Sequence, residues 1–190
     1  NETRTYTLRV TRPQDPPPEI EPDVPVIPDV QLPDGVSLED DYQITGRFLI
    51  NAWPDDDRNI AGRIKKAFKF SSDDMYVEIT QRNDEPATDD MALGTGAKIK
   101  LYKTDKSEPV VFLELVIFGD GFGDGWINSN DFSSVIDFMY RGRRPSEAEL
   151  MAMDATPDGF INSNDFSAII DYMYRGRRIP QTRSTATGGS

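Results

Sequence analysis

The residues best placed to do chemistry in this 190-residue chain are carboxylates spaced along two short loops. One loop is DATPDGFINSND, Asp154 to Asp165. It sets side-chain oxygens at loop positions 1 (Asp154), 3 (Thr156), 5 (Asp158) and 12 (Asp165). Gly159 stands at position 6, where a sharp turn needs a residue without Cβ. Alternate side chains of such a loop converge on one hard cation of the calcium kind, with the Phe160 carbonyl added from position 7. Asn162 at position 9 ligates directly or through a water. The other loop, DGFGDGWINSND, places Asp120, Asp124 and Asp131 at positions 1, 5 and 12, the Trp126 carbonyl at 7 and Asn128 at 9. Its position 3 is Phe122, which has no side-chain oxygen. Two Ca2+ sites are therefore expected, the first weaker than the second.

Both loops belong to a repeat of period 34. Ile127 to Arg144 and Ile161 to Arg178 differ only at Ser134/Ala168, Val135/Ile169 and Phe138/Tyr172. Each copy continues into a predicted helix. Phe132, Val135, Ile136, Met139 and Tyr140 recur at i, i+3, i+4, i+7 and i+8, as do Phe166, Ile169, Ile170, Met173 and Tyr174, and this spacing predicts a buried stripe. Phe138 and Tyr172 fall off that stripe and are expected nearer solvent, on a partner surface. The Arg-Gly-Arg-Arg endings suit a helix C-terminus. Pro145 to Met153 reads as a short connecting helix.

These loops need a scaffold, and the preceding sequence supplies one. Tyr42 to Ala52, Met75 to Thr80, Ala97 to Tyr102 and Val110 to Phe118 read as strands. Asp55, Asp56 and Asp57 offer N-caps for a helix from Asp57 to Lys69. The result is a β-rich module with one short helix, either Ig-like or α+β. It shows no catalytic constellation, and the chain is expected not to be an enzyme. Trp53, Tyr76 and Tyr102 are either core or a carbohydrate-stacking trio. Further upstream, eight of the 14 prolines lie between Pro13 and Pro33. At about 3.1 Å per residue they would form a semi-rigid polyproline spacer roughly 60 Å long. Thr3 to Val10 alternates as the last strand of a preceding domain would.

With no Cys and no His, thiol and imidazole chemistry is excluded. The 33 acidic residues against 21 basic ones give a net charge of −12, which argues against nucleic acid as a partner. No run approaches the roughly 20 apolar residues of a membrane span, so no membrane insertion is expected. The polar opening, Asn1-Glu2-Thr3-Arg4, reads as a mature chain or a piece of a longer one.

GDGFGDGWINSNDF from Gly119 and MDATPDGFINSNDF from Met153, each followed by a helix ending in Arg-Gly, resemble a dockerin. In that family a loop–helix repeat lacks the entering helix of an ordinary EF-hand, and here a strand runs straight into the first loop. The resemblance implies a small all-α dockerin with two EF-hand-like calcium repeats, secreted by a bacterium and docked on a cohesin of a scaffoldin or cell-surface protein. The family's cohesin contacts lie at loop positions 10 and 11 and along the following helix. They map to Ser129, Asn130, Ile136, Asp137 and Arg141, and to Ser163, Asn164, Ile170, Asp171 and Arg175. Because both copies carry the same residues, the resemblance implies a dual binding mode. The middle module is similar to the X-type or Ig-like modules that precede dockerins. The expected organisation is 1–12 terminal strand, 13–34 linker, 35–118 β-rich module, 119–179 dockerin and 180–190 flexible tail. The competing readings are a calcium-stiffened structural stalk that packs only on its own neighbour, and a carbohydrate-binding middle module.

Overall fold

The computed structural model describes residues 30–182. The strand expected at Thr3 to Val10 and most of the proline-rich run lie outside the described residues.

The sheet is built from short strands of alternating pattern. Strands β2 (Gln43–Thr45) and β3 (Phe48–Ile50) form a tight hairpin over Gly46 and Arg47. The sequence reading had run these two together as one strand from Tyr42 to Ala52. The ITGRF segment reverses the chain where a single strand would have put Phe48 to Ile50 out of reach of the core. Strands β5 (Met75–Thr80), β6 (Lys98–Lys103) and β7 (Val111–Leu115) complete a five-stranded sheet in the order β2-β3-β7-β6-β5. All its pairings are antiparallel except β3 with β7. A separate ribbon pairs β1 (Val36–Leu38) with β4 (Phe68–Phe70).

The helix expected from Asp57 to Lys69 is shorter, and its caps differ. A 3₁₀ turn spans Pro54–Asp56, and Asp57 takes a left-handed φ of 56° that closes it. Helix α1 (Ala61–Ala67) then starts after Ile60, which provides no side-chain cap. Its first amides are satisfied from elsewhere: Ala61 N–H donates to the Met91 carbonyl and Gly62 N–H to that of Asp89. Backbone from a distant loop has replaced the local acids. At its other end Phe68 leaves the helix to pair with Leu38. Three more helices follow: α2 (Ser129–Arg141), the expected connecting helix α3 (Glu147–Met153) and α4 (Ser163–Arg175).

Two buried clusters lie on opposite faces of the sheet, as the period of two along each strand dictates. Leu49, Leu115 and Ile117 face one way, toward Ile64, Leu93, Ile99, Leu101 and Leu113. Their neighbours Phe48, Ile50, Val116 and Phe118 face the other, toward Val135, Ala152, Met153, Ile161 and Ile169 of the helical segment. One sheet thus contributes to both clusters, that of the β-rich module and that of the helical segment. Trp53 is buried in the second cluster, stacked edge-on with Tyr172 at 5.6 Å. Tyr76 and Tyr102 stack on each other at 5.4 Å, apart from it.

The C-terminal boundary also moves. Ile179 and Gln181 are buried, although residues from 180 onward had been assigned to a flexible tail. The Gln181 side chain accepts from Phe118 N–H at 3.0 Å and donates to the Phe118 carbonyl at 2.7 Å, while the Gln181 backbone carbonyl accepts from Asn51 N–H. Strand β7 has ended by then, and the amide side chain stands in for a sheet partner. Gln181→Ala removes both side-chain hydrogen bonds to the Phe118 backbone, at about 0.5–1.5 kcal/mol each. It is expected to lower the urea midpoint clearly without changing the slope of the transition.

Candidate functional site

The first loop follows directly from the shared sheet. Asp120 is fully buried, and its two carboxylate oxygens accept four backbone N–H groups. Oδ1 takes those of Gly123 and Asp124; Oδ2 takes those of Gly125 and of Thr95, at 2.8 Å, from the β-rich module. Asp131, equally buried, accepts Phe122 N–H and Asn128 N–H. Asp124 accepts Trp126 N–H at 3.0 Å. Asp120, Asp124 and Asp131 each bring a carboxylate oxygen within 4.8 Å of the others, and they are the one such group of acids among the described residues. The second loop repeats much of this hydrogen bonding. Asp154 accepts Asp158 N–H and Gly159 N–H, Asp165 accepts Thr156 N–H and Asn162 N–H, and Asp158 accepts Phe160 N–H. Here the Thr156 hydroxyl also donates to Asp165 at 2.8 Å. At position 6, Gly125 and Gly159 have φ of +85° and +90°, the left-handed backbone expected there.

Asn128 and Asn162 have a role the sequence reading did not give them. Each caps the helix after its loop, accepting the N–H of Asn130 or Asn164, while Asp131 or Asp165 reaches back to the capping residue's own N–H. The position-12 acid is therefore a capping-box residue as well as a loop carboxylate. The signal was legible in the repeated N-S-N-D.

The helices bury a partly different face from the one expected. Tyr140 and Tyr174, assigned to the core stripe, are 55% and 78% exposed. Phe138 and Tyr172, expected near solvent, pack against the shared core together with Phe132, Met139, Phe166 and Met173. Phe132, Val135 and Met139, with Phe166, Ile169 and Met173, stay on the buried face, and its edge moves from Tyr140 and Tyr174 to Phe138 and Tyr172. The cause is a second neighbour. A helix pair alone would bury only its mutual seam, where Phe132 meets Phe166 edge-on at 5.9 Å. These helices also lie on the sheet, so Ser134, Val135 and Ile169 turn inward. Tyr172 donates its hydroxyl to Asp55, and Arg178 pairs with Asp56. The outward face of α2 carries Ser129, Asn130, Ser133, Ile136, Asp137, Tyr140 and Arg141, with Ile136 and Asp137 half-buried. In α4 it carries Ser163, Asn164, Ser167, Ile170, Asp171, Tyr174 and Arg175, with Ile170 and Asp171 half-buried. Of the expected partner-contact residues, Phe138 and Tyr172 pack into the shared core; Tyr140 and Tyr174, expected in the core, stand exposed on the outward face.

A family model, the Dockerin type I domain, matches residues 119–174. The helical segment is a dockerin module. The match does not extend into the β-rich module, and no curated protein or solved structure matches the chain. Dockerins are non-catalytic modules that bind calcium and dock on cohesins. No helix among the described residues is long and apolar enough to cross a membrane.

The donor set of this dockerin fits calcium: hard carboxylate oxygens, clustered and largely withdrawn from water. Burial raises the pKa of Asp120, against the pull of the N–H groups it accepts. Burial, with the Asp120 charge added, raises that of Asp131. Asp165 is raised as well, again through burial. A divalent ion bound by Asp120, Asp124 and Asp131 would offset the repulsion among them. The gathered carboxylates lie in the first loop, the one without a side-chain oxygen at position 3.

Proposed function

We propose that this dockerin anchors a secreted bacterial protein to a cohesin of a scaffoldin or cell-surface protein, using the outward face of either α2 or α4. Calcium in both loops would hold the two faces in shape. The Ca2+ donors would be Asp120, Asp124, Asp131 and the Trp126 carbonyl in the first loop. In the second they would be Asp154, Thr156, Asp158, Asp165 and the Phe160 carbonyl. The β-rich module would act as stabiliser and spacer.

One observation carries the reading. The three positions at which the repeats differ, Ser134/Ala168, Val135/Ile169 and Phe138/Tyr172, all lie on the buried face. There the two helices meet unlike surroundings, and Tyr172 meets Trp53 and Asp55. The outward residues are identical in both copies. A duplication preserved only for structure would leave solvent positions at least as free to change as buried ones. Differences confined to the buried face, with none on the outward face, are what a partner reading either copy would leave.

The test is binding to a panel of cohesins in calcium. Replacing Ser129 and Asn130 with Ala, or Ser163 and Asn164 with Ala, is expected to change affinity by about twofold, the statistical loss of one of two equivalent modes. All four replacements together are expected to weaken binding at least a hundredfold with calcium-dependent stability intact. Binding that survives the fourfold change would put the interface elsewhere. No cohesin binding at all would favour the stalk reading, to which the packing of the dockerin on its own neighbour also lends support.

A further inference from the structure

The first calcium loop is not closed by its own residues alone. The turn from Leu93 to Gly96, in the β-rich module and outside the dockerin match, lies directly against it. Thr95 N–H occupies one of the four acceptor positions on Asp120. Asn59 donates from one side-chain nitrogen to the Leu93 carbonyl at 3.0 Å and to the Gly125 carbonyl at 3.1 Å, tying the turn to loop position 6. The approach is backbone to backbone. A Cβ on Gly94 would stand 2.2 Å from the Gly123 carbonyl oxygen and 2.7 Å from Gly125 N, and one on Gly125 would stand 2.7 Å from the Leu93 carbonyl oxygen. Arg82 reaches the same loop, donating to the Phe122 carbonyl at 3.1 Å and pairing with Glu149.

At the second loop, position 6 is open and the contacts described for two of its acids are local. A Cβ on Gly159 meets nothing within 4 Å, and every hydrogen bond described for its Asp158 and Asp165 comes from within the loop. The two loops thus differ in a way that complements their sequences. The first lacks a side-chain oxygen at position 3 and is braced from the β-rich module; the second has Thr156, and its position 6 faces open space.

We infer that Thr95, Asn59 and Gly94 are positioning residues for the first calcium site, supplied by the β-rich module to compensate for Phe122. The inference rests on the calcium reading above. It follows that the affinity of the first loop depends on residues outside the dockerin, and that replacing them lowers the first affinity more than the second. An outer contact that fixes a ligating carboxylate typically contributes 10- to 100-fold in metal affinity.

Trp126 gives the first loop its own reporter, since its ring is 59% exposed at loop position 7, and a tryptophan there sensitises bound terbium. The experiment is terbium titration of the full chain and of Gly94→Ala, Asn59→Ala, Thr95→Ala and Thr95→Ser. The second loop is read in the same variants after moving the sensitiser with Trp126→Phe and Phe160→Trp. Gly94→Ala and Asn59→Ala are expected to weaken the first loop at least tenfold and leave the second within twofold. Thr95→Ala, which removes the hydroxyl bonded to Ile117 N–H, should fall between, and Thr95→Ser should restore the parent value. A purely structural role would lower thermal stability in metal-free buffer without separating the two affinities. Variants that fold but bind terbium at the first loop like the parent, or that weaken both loops equally, overturn the inference. If Gly94→Ala does not fold, Asn59→Ala and the threonine pair decide it. A parent chain with no terbium signal in either loop overturns the calcium reading itself, and this inference with it.

Discussion

In metal-free buffer the protein is expected to be more stable at pH 5 than at pH 7.5, and calcium is expected to reverse that order. The sign follows from the buried acids of the first loop. Asp120 and Asp131 have folded-state pKa values raised by burial, and Asp131 further by the charge of Asp120. In the unfolded chain both revert to about 4. Between that value and their raised folded values the native state holds protons that the unfolded state has lost, so stability falls as pH rises through the interval. Asp165 acts in the same direction in the second loop. Calcium needs the carboxylates ionised and so favours the higher pH. At a thousandfold excess over its dissociation constant it adds about 4 kcal/mol per site. Thermal melts at the two pH values, with and without calcium, check this. Equal metal-free stability at both pH values would mean that burial does not raise Asp120 and Asp131.

Phe118→Ala is expected to unfold both modules together at a lower temperature. Phe118 is fully buried in the cluster that joins the sheet to the dockerin helices, at the point where β7 has just ended and the first loop is about to begin. Its loss leaves a cavity that sheet and helices can close only by moving toward each other, which Gln181 and the Asp120–Thr95 contact resist. A substitution of this kind costs about 3–5 kcal/mol. For a unit of this size that corresponds to roughly 6–20 °C in melting temperature. Calorimetry should show one transition before and after the change. Two separated transitions would show that the modules share a surface but not a core.

The loops were legible because ligand spacing is a local property: a twelve-residue run fixes which side chains converge, and Asp120, Asp124 and Asp131 do so. The capping boxes were written in the same residues and were overlooked only because Asn128 and Asn162 had been given another task. The buried face of α2 and α4 was misjudged because periodicity records how apolar residues recur, not how many neighbours a helix has. Five apolar positions defined a seam for one partner helix, and the sheet added a second contact that drew Phe138 and Tyr172 inward and pushed Tyr140 and Tyr174 out. The shift of the helix start from Asp57 to Ala61 has a similar origin, since the amides that three acids could have capped locally were met by the carbonyls of Asp89 and Met91. Gln181 carried no pattern at all. Its burial depends on where β7 stops, which no window around residue 181 contains.

The clamp made by Gln181 also sets an order of synthesis. Phe118 and Asn51 are translated long before the residue that completes their hydrogen bonds, and Phe48, Ile50 and Trp53 await a cover made of helices not yet built. A nascent chain can assemble the Leu49 side of the sheet on its own, but it must hold the other side open until the repeat has left the ribosome. A message cut short within the repeat would yield a module with an apolar flank exposed, a substrate for proteases. The joint thus favours complete molecules, since only a chain whose repeat has been made can cover the Phe48 side of the sheet.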